Sequence, residues 1–170
     1  MAIREIMTLP EPVLRRKAHK ITDFGAETQT LVEDMIETMR VAPGVGLAAP
    51  QVGVSQRLIV VEYGDDEDES VPKKLYTLIN PEITLRSAEL EVGNEACLSL
   101  PGLVGKVERP LAITVKGFNR HGHPSKIKAS GWLARIFQHE IDHLDGVLFV
   151  DRATEVWKAE ERPEEVVPVE

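Results

Sequence analysis

A chain of 170 residues with 42% hydrophobic and 28% charged content has the make-up of one soluble globular domain with a single real core. Its net charge of −8 excludes a nucleic-acid-binding surface spread over the whole molecule, though not a local basic patch. No apolar run resembles a signal peptide or reaches membrane-spanning length, and one cysteine cannot form an internal disulfide, so no membrane role is expected and the expected location is the cytoplasm.

In chain order, the Pro-broken stretch Thr8 to Arg15 is expected to run over the surface, and His19 lies in a basic cluster that reads as solvated. From Glu27 to Val41, Leu31, Val32, Met35, Ile36 and Met39 form one stripe with charged residues away from it, the pattern of an amphipathic helix. Pro43 ends it. Gly44 to Gln51 then form a small-residue loop that lacks the lysine of a phosphate loop. Gln51 stands out there, because a side-chain amide can donate to a developing oxyanion.

The run Arg57 to Tyr63 is expected to be a strand, and Gly64 to Ser70 a solvated acidic tip without the ligand pattern of a calcium loop. Further strands are expected at Leu75 to Asn80 and Thr84 to Val92, with a break at Asn80-Pro81. Two more are expected at Leu111 to Phe118 and Lys126 to Ala129, joined by a turn flanked by His121 and His123.

A helix follows, opened by Ser130 and closed by Gly146, with apolar residues most of the way round it, as in a buried helix. It carries His139-Glu140-Ile141-Asp142-His143. Residues four apart share a helix face, so His139 and His143 can hold one metal ion, with Glu140 beside it as a general base. The bland alternative is a pair of core histidines satisfied by backbone carbonyls. After Asp151 the acidic, Pro-punctuated tail is expected to fray.

A catalytic site of this kind usually has three protein ligands and one open position. No histidine follows His143, and the acids after it lie in the tail. The better third ligand is Cys97, although a lone cysteine is by default a buried structural residue.

Three stretches together resemble the signature motifs of the peptide deformylases, in that family's order and spacing: Gly44 to Gln51, Glu95 to Ser99, and His139 to His143. The chain has Ala96 where the family usually has Gly. The resemblance implies an α+β fold with small, mainly antiparallel β-sheets around a central metal-binding helix and the Glu27–Val41 helix packed outside. Residues 1–150 would be the catalytic domain and 151–170 an acidic extension.

The activity implied is metal-dependent removal of the N-formyl group from the N-terminal methionine of new polypeptides. Cys97, His139 and His143 would hold one divalent ion, Fe(2+) in the cell, with Zn(2+), Ni(2+) or Co(2+) as alternatives in purified protein. Glu140 would act as base and then acid, with the Gln51 amide and the Leu98 backbone N–H meeting charge on the formyl oxygen. The substrate would lie extended beside Val45-Gly46, its methionine entering a pocket lined by Val45, Ile136 and the stem of Arg135. Glu95 would pair with Arg109 to fix the cysteine-bearing segment; the plain alternative is two exposed charges. N-formyl-Met nascent peptides are the implied partners, and the ribosome a further one. Two readings compete: another amidohydrolase or a zinc protease with its third ligand after His143, and a non-catalytic metal-binding or scaffold protein.

Overall fold

The computed structural model describes residues 2–64, 68 and 70–165. Most of the expected acidic tip (65–67 and 69) and the last residues of the tail, 166–170, lie outside the described residues.

The core is a five-stranded antiparallel sheet in the order β1-β2-β3-β6-β7: β1 (Gly46–Ala48), β2 (Leu58–Tyr63), β3 (Lys74–Arg86), β6 (Ala112–Phe118) and β7 (Pro124–Ser130). The uninterrupted apolar run of β2 shows why this sheet is covered on both faces. Leu58 and Val60 face α1 (Ala26–Val41), joining Leu31, Val32, Met35, Ile36 and Met39, whereas Ile59 and Val61 face α2 (Gly131–Leu144). A second sheet, β4-β5-β8, comprises β4 (Leu90–Ala96), β5 (Leu103–Pro110) and β8 (Glu155–Lys158). The α2 helix packs against β1, β2, β6 and β7 of the first sheet and β5 of the second. No helix among the described residues is long and apolar enough to cross a membrane.

Expected α1, β2, β6 and β7 are present within a residue or two of their predicted bounds. The strands around Asn80 differ. Asn80-Pro81 does not break β3: Asn80 takes a left-handed φ of 53°, and its side chain pairs with both backbone groups of Ile21, at 2.9 Å each. The strand continues past a register shift between Ile79 and Glu82. Thr84 to Val92 is instead divided, because the chain turns at Ser87–Glu89 between β3 and β4. Strand β5 was not foreseen, and β8 lies in the stretch expected to fray, with Trp157 buried against the β5 side.

Candidate metal centre

The α2 helix is buried almost all round, from Ala134 to Ile141 and again at His143 and Leu144. Its end is a Schellman motif: the Gly146 N–H donates to the His143 carbonyl and the Val147 N–H to the Asp142 carbonyl, with Gly146 at φ 75°. Its start differs from expectation. Ser130 occupies the N-cap position, but its hydroxyl makes no capping bond.

His139 and His143 stand one turn apart on the inward face, ring centroids 5.1 Å apart. Cys97, just past the end of β4, meets them from the second sheet. One donor atom from each of the three lies within 4.8 Å of the others, all three residues buried. Cys97 Sγ is 3.4 Å from His143 Nε2. Thiolate and imidazole ligands on a tetrahedral ion, at about 2.3 and 2.05 Å, stand about 3.6 Å apart, so the pair is already at ligand spacing. Burial, then the neighbouring His139 and Arg109, push the His143 imidazole well below its usual pKa against the opposing Glu95 charge, which keeps it neutral as a ligand must be. The donor set therefore fits a divalent cation.

Glu140, next to His139 in the chain, is fully buried, and neither carboxylate oxygen has a hydrogen-bond partner among the described residues. Burial, with the nearby Glu95 charge adding to it, raises its carboxyl well above the usual range, while Arg109 opposes the rise. A buried carboxylate left in that condition is costly, and an adjacent cation offsets the cost. The β1 backbone presses on it: a Cβ on Gly46 would stand 2.6 Å from Glu140 Oε2, so only glycine fits.

Glu95 is the hub behind these three donors. Its Oε1 accepts from His139 Nδ1 at 2.9 Å, which orients the ring as a partner behind a metal-binding histidine does. Arg109 grips it with two bonds, Nε to Oε2 at 2.6 Å and Nη2 to Oε1 at 2.8 Å, and donates from Nη1 to Asp142 at 2.9 Å. Both residues are buried, which excludes the alternative of two exposed charges. Burial works to raise the Glu95 carboxyl, but the hydrogen bonds and charges of Arg109 and His139 prevail and hold it far below the usual range.

Sequence reasoning missed two members of this cluster. Arg135 donates to Glu95 Oε2 at 2.6 Å and to the carbonyls of Val107 and Glu91 at 3.0 and 2.7 Å. Its guanidinium is thus committed to Glu95 and to β4 and β5, leaving only the stem for the pocket it was expected to line. A Cβ on Gly93 of β4 would meet that guanidinium at 2.9 Å, a clash the glycine avoids. Asp142 joins Arg109 to Arg152 through bonds of 2.7 and 2.9 Å to the latter. The one available signal was spacing: Asp142 is three residues from His139, on nearly the same helix face.

Gln51 is fully buried in the one-turn helix after β1. Its Oε1 accepts from the Ala48 N–H, and its Nε2 lies 3.1 Å from Ser99 Oγ and 3.6 Å from Cys97 Sγ. The amide donor therefore points at the centre. Leu98 directly follows Cys97 in the chain, partly buried against the α1-side core. Ile136 is fully buried, and Val45 is half-buried against the same cluster. Ala96 ends β4 paired with Val104, and Asn80 is the only non-glycine with positive φ among the described residues, so replacing the family's usual glycine imposes no backbone strain.

Comparison with known proteins bears directly on this arrangement. The family model for polypeptide deformylase matches residues 3–159. A peptide deformylase from Natranaerobius thermophilus is 51% identical over 161 residues, covering 95% of this chain and 99% of the relative. Among solved structures, a peptide deformylase from Ehrlichia chaffeensis in complex with actinonin superposes with a TM-score of 0.85 at 38% identity, over 91% of each chain. A Met-Ala-Ser-bound class I type b peptide deformylase from Acinetobacter baumannii superposes with a TM-score of 0.82 at 35% identity, over 89% of this chain and 98% of that one.

Proposed function

The chain belongs to the peptide deformylase family, metal-dependent hydrolases that act on N-formylated nascent peptides, and from that premise we propose how its own residues remove the formyl group from an N-terminal methionine. Cys97, His139 and His143 hold one divalent ion. Fe(2+) is the choice for the cell, and Zn(2+), Ni(2+) or Co(2+) suit the same thiolate and two imidazoles. When bound, the ion supplies a water of lowered pKa and a Lewis acid for the formyl oxygen.

The observation that carries this reading is the trio of metal-type donors, with the buried carboxylate of Glu140 next in the chain to His139 and without a hydrogen-bond partner among the described residues. Glu140 takes the proton from the attacking water as the new C–O bond forms at the formyl carbon. It returns that proton to the amine nitrogen as the C–N bond breaks, so formate and a free N-terminus result. The Gln51 amide and the Leu98 N–H donate to the formyl oxygen as charge develops there. Loss of one such donor typically costs about 3–4 kcal/mol of transition-state stabilisation. The Glu95–Arg109 pair holds the His139 ring and the Cys97 segment in place for this.

Strand β1 is an edge of the large sheet and β4 an edge of the small one, so each has free backbone groups to which an extended peptide can add. The methionine side chain then enters beside Val45, Ile136 and the Arg135 stem. The Met-Ala-Ser seen in the A. baumannii relative supports a methionyl peptide as the molecule taken here. A thiolate ligand suits a reducing compartment, which supports the cytoplasm. We place residues 1–150 in the catalytic unit and count the ribosome as a further partner.

The test is formate release from formyl-Met-Ala by anaerobically purified protein with its metal counted. Glu140→Gln is expected to retain one metal per chain and lose nearly all turnover; Cys97→Ser is expected to lose the metal. A Cys97→Ser protein with full metal content would favour the protease reading, and an active Glu140→Gln protein would refute the mechanism.

A further inference from the structure

Away from the metal centre, the five-stranded sheet carries a groove of ≈ 620 Å³ lined by Lys20, Lys116, Phe118 and Lys126, together with Asn80 and Glu82. All three lysines are exposed, and the only lysine in an ion pair among the described residues is Lys106. Lys116 and Lys126 stand directly opposite one another across β6 and β7. Like charges in that position destabilise a sheet. Glu82 flanks Lys116 on β3 without coming to ion-pair distance, and Lys128 extends the row along β7.

Lysines on an edge strand commonly serve to prevent sheet-to-sheet association, and β7 is an edge. That account covers Lys126 and Lys128. It does not cover Lys116, which is on the interior strand β6, or Lys20, which reaches the groove from outside the sheet. Three lysines facing one concavity against the single carboxylate of Glu82, in a chain of net charge −8, leave a local positive excess complementary to a polyanion. The fourth lining group narrows the choice. Phe118 is 37% exposed in the same groove, and an aromatic face beside a row of cations is the arrangement that takes a stacked base and its phosphates.

We propose that the groove formed by Lys20, Lys116, Lys126 and Phe118 binds a single-stranded segment of RNA, the lysines neutralising phosphates and the ring stacking a base. The choice of RNA rests on the deformylase reading, since a nascent peptide is met where RNA is abundant; the groove itself shares no residue with the metal centre.

The experiment is fluorescence anisotropy of a labelled oligo(U) of about 12 nucleotides with the metal-loaded enzyme, from about 50 to 200 mM salt. Three phosphate contacts give a slope of log K against log salt near −2 (about −0.7 each). The double variant Lys20→Glu, Lys126→Glu is expected to bind at least tenfold more weakly and to lose about 1.4 of that slope. Phe118→Ala is expected to weaken binding about fivefold or more at unchanged slope. Formate release stays at the wild-type rate in all of them, which separates this inference from the catalytic one. Lys126→Glu also replaces a like-charge pair by an opposite one, so the melting temperature holds or rises and unfolding does not mimic loss of binding. Equal oligo(U) binding by wild type and the double variant overturns the proposal. So does dextran sulfate binding as tightly as oligo(U) with Phe118→Ala silent, oligo(dT) binding more tightly than oligo(U), or lysine-dependent binding to anionic vesicles in place of RNA.

Discussion

Gly46→Ala tests the geometry of the proposed general base, Glu140, most directly. An added Cβ would stand 2.6 Å from Glu140 Oε2 and 3.0 Å from its Cδ and Cγ, against an ordinary contact of 3.4–4 Å. Relief of roughly 1 Å is required. The Gly46 backbone cannot supply it cheaply, because β1 is held in register with β2 through Gly46 to Ala48. The carboxylate must therefore move. A displacement of about 1 Å in a catalytic group costs on the order of 100-fold in rate. Overpacking of a well-filled site costs about 1–3 kcal/mol of stability, or roughly 2–12 °C in Tm for a chain of this size. None of the three donor residues is touched, so metal content is expected to stay at one ion per chain. The assay is kcat for formate release, read beside metal content and thermal melting. A Gly46→Ala protein within about fivefold of wild-type kcat would show that Glu140 has room to spare, and the positioning argument would fall.

Arg135→Met is expected to lower stability by about 3–5 kcal/mol in urea unfolding, because Glu95 loses a buried cation and two carbonyls lose their donor. A change in KM alone, with stability intact, would show that the stem's contact with substrate, and not the guanidinium's bonds, is what Arg135 contributes. A double-mutant cycle between Glu95→Gln and Arg109→Met should give a coupling of about 1–3 kcal/mol, and additive effects would mean the two-bond grip is inconsequential. At Asp34, the Ala2 amide and the Arg4 guanidinium hold the carboxyl below its usual pKa against the opposing effect of burial. A depressed folded pKa contributes stability above the unfolded value of about 3.9, and that contribution is lost as pH falls through the folded one. Asp34→Asn should therefore be less stable than wild type at pH 7 by about 1–2 kcal/mol and converge with it as pH falls through the folded pKa; a gap independent of pH would contradict this.

How much of this was visible in the chain itself depends on the range of the interaction. The helix bearing His139 and His143, its glycine terminus at Gly146, the α1 stripe and the apolar run of β2 are all local patterns, set by periodicities of 3.6 and 2 residues. Cys97 is the expected third ligand by elimination and by resemblance, and what the structure adds is that its donor atom lies within 4.8 Å of one on each histidine. The features missed depend on partners far off in the chain. Asn80 reads as a break because Asn-Pro punctuates most sequences, yet here its side chain bonds to Ile21 and the strand runs on. Strand β8 reads as tail because its neighbours are acidic; pairing with β5 and burial of Trp157 outweigh that composition.

Arg135 marks the boundary most clearly. Nothing within a few residues of it indicates whether a buried arginine will line a pocket with its stem or neutralise a carboxylate with its head. Position in the chain decided that it would sit on the inner side of α2, as it decided that two imidazoles would share a face. Only the docking of β4 and β5 against that helix delivered Glu95 to within 2.6 Å of it, because a buried charge takes whichever opposite charge the packing brings near.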